Sequence, residues 1–423
     1  MRTLDRIAAT RRAFLGGSGA LLGASALGWP GRARAAAPTE RKFIFFYAGG
    51  GWDPLAVFDP HFDSDGSDMD DDTELGEVGG HRFTAGVERD DVARFFTRWG
   101  RRTAIVNGVD NHTVGHLSGS QFALTGTSAS GFPDWPTVLA ANSPIEYPLP
   151  HVVFSGPSFP GNYGQAVVRA GGGTLLGLID GSLVGQADAP QPVTPPTTDR
   201  LIDSVVFDRV ADFAAGQTGE GRRRADALVR NIERSMELEG RRFEASLDDL
   251  GNTVLDQAVK ASELMRLGLT RCAMIRMDGG YDTHGGNLPQ AINQNGFLAM
   301  LDDLYAHLAS SPGQSARWLI DEVVVVALSD FGRTPRLNGA QGRDHWPFTT
   351  TLVGGAGVVG NRAHGVTDPG LVGLPIDLAT GRASESGMML GCENVGVSLL
   401  QLGGVDPSKV LPGIDPLRSL VRA

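Results

Sequence analysis

Three short segments of this 423-residue chain gather the side chains best suited to chemistry. Residues 278–287 read D-G-G-Y-D-T-H-G-G-N and offer Asp282 and His284 two positions apart. Residues 329–336 read S-D-F-G-R-T-P-R and supply Asp330, Arg333 and Arg336. Residues 342–346 read G-R-D-H-W and add Asp344 and His345. A further carboxylate, Asp53, stands just past the glycines Gly49, Gly50 and Gly51. Carboxylate and imidazole together form a ligand set for a divalent metal such as zinc, manganese or calcium. Arg333 and Arg336 carry planar forks that match a cluster of anionic oxygens, as in phosphate or sulfate. Taken singly, each residue has an ordinary role: an Asp after a strand caps a helix or shapes a turn, and a His among glycines sits in a turn. Their gathering in three places points to a metal.

The segments must be positioned by what precedes them. Residues 42–48 (KFIFFYA), 103–107, 151–155, 271–277 and 322–328 (EVVVVAL) are continuous apolar runs, the pattern of strands buried on both faces. Helical periodicity lies between several of them, as over residues 287–309. The alternation predicts an α/β fold with a mostly parallel central sheet and helices on both faces. Such sheets carry their sites beyond the C-terminal ends of the strands, where these segments fall. A Pro-rich connection at 186–198 leads into a stretch rich in Arg and Glu, read as a helical insertion over 201–267 within one domain of residues 36–423.

The D-T-H-G-G-N segment, the strand followed by S-D-F-G-R-T-P-R, and G-R-D-H-W together resemble the twin-arginine-exported proteins grouped as domain of unknown function 1501. That group is similar to the alkaline phosphatase and sulfatase superfamily, and the resemblance covers nearly all of the chain after its leader. It implies an alkaline-phosphatase-like fold and two metals beside a nucleophile. Asp282, His284 and His345 match the ligands of the first metal. Asp330 matches a ligand of the second, and Asp53 is the nearest match to another, a few residues late. Two departures stand out. The second metal's His is Phe331 here, and counting back from Thr125-Gly126 places His116 where the superfamily has a hydroxyl or thiol nucleophile. His116 could ligate metal, act as acid or base, or form a covalent intermediate. Ser118 and Thr113 stand close enough to serve instead, and His112 either joins the cluster or caps the surface.

Other readings are set aside. Residues 355–360 spell G-x-G-x-x-G, but a turn-like N-R-A-H-G follows where a dinucleotide fold needs a helix. No G-x-S-x-G elbow surrounds Ser118. Residues 59–74 hold seven aspartates, yet the sixth position counted from Asp63 is Asp68 where a calcium loop needs glycine, so a solvated acidic loop is expected. Cys272 and Cys392 exclude a cysteine-based zinc site, and Cys272, in an apolar run, reads as a buried thiol. The net charge of −11 argues against a nucleic-acid binder.

The first 35 residues read as a twin-arginine signal peptide: Arg11-Arg12 with Phe14 and Leu15, a short Gly/Ala-rich apolar stretch, and Ala33-Arg34-Ala35 for cleavage. The stretch is too short to span a membrane. The expected protein is thus exported through the twin-arginine translocase to the periplasm or beyond, with no stable membrane span. The resemblance implies hydrolysis of a sulfate or phosphate ester, on a small molecule or a polysaccharide. The alternative is a metal-stabilised binding or structural protein without turnover, which Phe331 and His116 favour.

Overall fold

The computed structural model describes residues 40–170, 195–239 and 251–422. The leader reading at 1–35 lies outside them. The first strand, β1 (Lys42–Ala48), is buried along its whole length, and glycines end it. A hairpin of β2 (Thr73–Val78) and β3 (His81–Gly86) precedes helix α1 (Asp90–Trp99). Strand β4 (Thr103–Asp110) feeds α2 (His116–Thr125), and α3 (Trp135–Ala141) precedes the short β5 (His151–Val153) and β6 (Val167–Arg169).

Helices α4 (Pro196–Ala215), α5 (Gly219–Glu239) and α6 (Val254–Arg266) fall in and around the stretch read as helical, of which 240–250 lie outside the described residues. By its contacts, the chain around 192–232 groups as a unit of its own. Strand β7 (Cys272–Arg276), helix α7 (Leu288–Ser310), β8 (Val323–Ser329), the two-residue β9 (Gly332–Arg333) and β10 (His345–Trp346), β11 (Phe348–Gly355), β12 (Arg362–His364) and α8 (Cys392–Leu402) follow.

The central sheet has the order β12-β4-β11-β8-β1-β7-β5-β6. Every neighbouring pair is parallel except the two made by β11, so β11 alone runs against the rest. This is the mostly parallel α/β fold expected of the apolar runs. Alternate residues of β1 serve two cores. Ile44, Phe46 and Ala48 pack with α1, α6 and α7, while Phe43, Phe45 and Tyr47 pack with α2, α3 and α8. Both faces are therefore covered, which is why the strands read as unbroken apolar runs rather than alternating ones.

Two loops show why composition misleads. In the G-x-G-x-x-G stretch, a side chain on Gly355 would meet the Val323 carbonyl at 2.2 Å, and one on Gly360 the Arg101 carbonyl at 2.6 Å. These glycines serve backbone packing, and the left-handed Asn361 that follows opens no helix. The acidic loop is only partly solvated. Asp59 is buried and accepts from Asn107 and Thr367, and Asp70 pairs with Arg89. Cys272 and Cys392 are both buried free thiols. Among the described residues no helix is long and apolar enough to cross a membrane.

Candidate metal centre

The C-terminal ends of β1, β4, β7 and β8 meet at one place. After β1 the chain turns through Gly50 and Gly51 at φ +117° and +78°, backbone that side chains rarely adopt. A Cβ on Gly50 would also strike the Asp282 backbone nitrogen at 2.7 Å. The turn has two working sides. The N–H groups of Gly50 and Gly51 donate to Asp330 Oδ1 at 3.1 and 2.6 Å. Their carbonyls accept from Arg333, the Gly51 oxygen at 2.9 Å from Nε. One dipeptide thus holds an anion on one side and a cation on the other.

Three imidazoles converge beside this turn, each held by its Nδ1. His116, the first residue of α2, lies 2.7 Å from the buried Asp330 carboxylate. A Cβ on Gly119 would sit 2.5 Å from the Asp330 carbonyl, so this glycine lets α2 approach closely enough for the contact. His284 Nδ1 is 2.8 Å from the exposed Asp344, and His345 Nδ1 is 2.7 Å from the Val114 carbonyl. A carbonyl only accepts, so His345 Nδ1 carries the hydrogen, and neutral imidazoles donating from Nδ1 leave Nε2 as an acceptor.

The three Nε2 atoms face Asp282. His284 and His345 lie 3.1 Å from its Oδ1, and His116 lies 3.5 Å from Oδ2. His284 Nε2 and His345 Nε2 stand 3.0 Å from each other. Contacts this short between Nε2 atoms and a carboxylate are bridged either by a proton on an Nε2 or by a shared cation. Burial raises the Asp282 pKa, but a hydrogen bond from Arg333, and one from His345 when its Nε2 carries a proton, outweigh it and hold the carboxyl at about 2, so it is an anion at any ordinary pH. The potential ligand atoms of His116, Asp282 and His345 all lie within 4.8 Å of one another.

The other expected residues fall elsewhere. Asp53 is fully buried and caps the turn at Pro54, accepting from Leu55 N and Asn287 and pairing with Arg343 at 2.9 Å. Both its oxygens are hydrogen-bonded, and it faces Arg343 and Asn287 rather than the imidazole cluster. Arg336 is exposed and donates to the Asp65 carbonyl, away from the cluster. Arg333 is at the cluster but wholly buried, donating to Gly50, Gly51, the Arg343 carbonyl and Asp282 at 2.6 Å. It positions Asp282 and is not available to substrate oxygens. Ser118 bonds Thr113 and the Gly115 carbonyl on the exposed side of α2. Asp330 is enclosed by Gly50, Gly51, Ser329 and His116, which makes it the carboxylate that orients His116.

Phe331, fully buried, lies under the cluster with its ring 4.8 Å from that of His116 and 4.4 Å from that of His345. Here the second-metal pattern is replaced by an apolar floor. His112 stands apart, clamped between Asp110 and Glu393.

The family described as "Protein of unknown function (DUF1501)" matches residues 40–373. The chain belongs to that family. Among solved structures, a protein in the alkaline phosphatase superfamily from Vibrio parahaemolyticus is similar at 11% identity and a TM-score of 0.36, over 91% of this chain and 71% of that one. No curated protein matches the chain. Residue types alone did not point to the Gly50–Gly51 backbone or the Val114 carbonyl. The G-G-G stop after an apolar strand was the available signal for the first.

Proposed function

We propose that this chain is an exported, metal-dependent hydrolase of sulfate or phosphate esters working with a single metal held by Asp282, His284 and His345. One observation carries the reading: three imidazoles anchored at Nδ1 by Asp330, Asp344 and a backbone carbonyl all present Nε2 to Asp282. Ligating histidines are characteristically held in this way through their other nitrogen. The 3.0 Å spacing of the His284 and His345 nitrogens suits neighbouring ligands on one ion with bonds of about 2 Å. Such a metal supplies a Lewis acid for the ester oxygens and makes water a better nucleophile at neutral pH.

The chain's own groups do the rest. Arg333 and the Gly50–Gly51 turn fix Asp282 and Asp330. Asp330 holds His116 with Nε2 turned toward the cluster, placed to take a proton from the attacking water and return it to the leaving oxygen. His116 thus fills the nucleophile's place with an acid–base group. Phe331 excludes water from beneath the rings.

Phe331 also favours a second reading, a metal-stabilised binding protein that does not turn over. Elemental analysis of the mature exported protein, beside His345→Ala, tests the metal. About one equivalent of zinc, manganese or calcium, lost in the variant, supports the centre, and none in protein purified without chelators overturns it. A panel of sulfate and phosphate esters, including sulfated polysaccharide, then separates the two readings. Turnover abolished by His345→Ala supports the hydrolase. Bound metal with no turnover on any ester leaves the binding protein. Export is tested by replacing Arg11 and Arg12 together with Lys, which should retain the protein in the cytoplasm.

A further inference from the structure

With Arg333 buried and Arg336 turned away, the cation available to an anionic substrate lies elsewhere. Arg276 is the last residue of β7, in register with Tyr47 of β1. Tyr47 packs in the core on the α2 side of the sheet, and its hydroxyl meets Ser120 of α2. Ser120 in turn donates to the His116 carbonyl at 2.7 Å. Arg276, Tyr47, Ser120 and His116 therefore form a continuous line from the β7 edge to the cluster.

The Arg276 guanidinium is exposed and makes no hydrogen bond or ion pair among the described residues. It lies beside Gly49, where a Cβ would come within 3.7 Å of Nη2, and its stem borders Gly156. Small residues on both flanks leave the charge open to solvent. Arg169 reaches the Gly156 carbonyl from β6, adding a second cation to this rim. A free planar fork is suited to a carboxylate or a second phosphate or sulfate.

We infer that Arg276 is a second anion subsite, selecting esters whose leaving part carries its own negative group. This rests on the hydrolase reading. The reacting group occupies the cluster beside His116, and the leaving part extends over Ser120 toward Arg276.

The test uses two probes that cannot be hydrolysed, phenylphosphonate and 4-carboxyphenylphosphonate, titrated calorimetrically into mature metal-loaded protein. Wild type should bind the carboxylated probe about ten-fold more tightly. Arg276→Gln should bind both equally with its phenylphosphonate affinity unchanged, and Arg276→Lys should keep part of the preference. Melting temperature and metal content, measured on the same samples, should match wild type because Arg276 is exposed and unbonded. A preference that survives in Arg276→Gln, or is missing from wild type that binds phenylphosphonate, overturns the subsite and leaves the metal centre standing. Wild type that holds no metal and binds neither probe overturns both.

Discussion

His112 and His116 are four residues apart, and each stands among carboxylates, yet they are wired for different purposes. His116 has one nitrogen on Asp330 and the other turned to a point shared with His284, His345 and Asp282. His112 has both nitrogens occupied, Nε2 at 2.9 Å from Glu393 and Nδ1 at 3.3 Å from Asp110. Those hydrogen bonds, donated to Asp110 and then to Glu393, push its pKa up to about 10, so it is an imidazolium at neutral pH. Cys392 beside it is buried, and burial together with Glu393 pushes its thiol well up, the reverse of what a metal-binding thiolate needs. Both clusters contain the residue types that bind metals. What separates them is how many nitrogen lone pairs are left over after the protein's own hydrogen bonds are made.

The strongest way to break this contrast is His345→Ala. Loss of a direct ligand should weaken zinc binding by more than about 100-fold, because losing only an outer partner costs about 10–100-fold. Competition against a chelator of known affinity measures it, and unchanged affinity would end the comparison. Next comes Asp344→Asn, which leaves every direct ligand in place and removes the charge behind His284 Nδ1. Zinc affinity should drop about 10–100-fold. A wild-type value would mean that the exposed Asp344 does not orient the ring.

The smallest effect belongs to His112→Gln. Metal content should not change, and stability should fall by less than about 1 kcal/mol, since the pair is partly exposed and screened. Its sign with pH is fixed. A histidine whose pKa is raised on folding stabilises fully below its unfolded pKa and loses that contribution as pH rises through about 10. The gap between wild type and variant in urea unfolding should therefore close from neutral pH toward pH 10. It should also close in acid, as Asp110 and Glu393, both held low by His112 against the effect of burial, take up protons. A gap that does not vary with pH would show that the clamp carries no charge. A metal lost with His112→Gln would place it in the centre.

The frame was legible because burial writes itself into composition. Strand β1 begins and ends where its apolar run does, and β8 is shifted from the expected run by a single residue. Asp282, His284 and Asp330 meet because the parallel strands β7 and β8 deliver their C-terminal ends to one edge, while Asp344 and His345 are brought back to it by β10, paired antiparallel to β9 at the start of the reversed β11. Arginine roles were not legible. Arg333 and Arg336 look alike in sequence, yet one is consumed by three carbonyls and a carboxylate and the other leans on a surface loop. Donor supply is visible in a sequence, whereas donor consumption depends on backbone carbonyls brought from elsewhere. Asp53 had a local signal that outweighs its place after a strand. It is followed by Pro54, and Asp before Pro is the pattern of a capped turn with proline at its first position.

His345 and the Val114 carbonyl that orients it are 231 positions apart. No fragment short of residue 345 contains the assembled site, so a metal that depends on it recognises the nearly complete native chain and little that precedes it. Ion capture would then be among the last events in the life of the nascent molecule, and the compartment where folding finishes would decide which ion is captured.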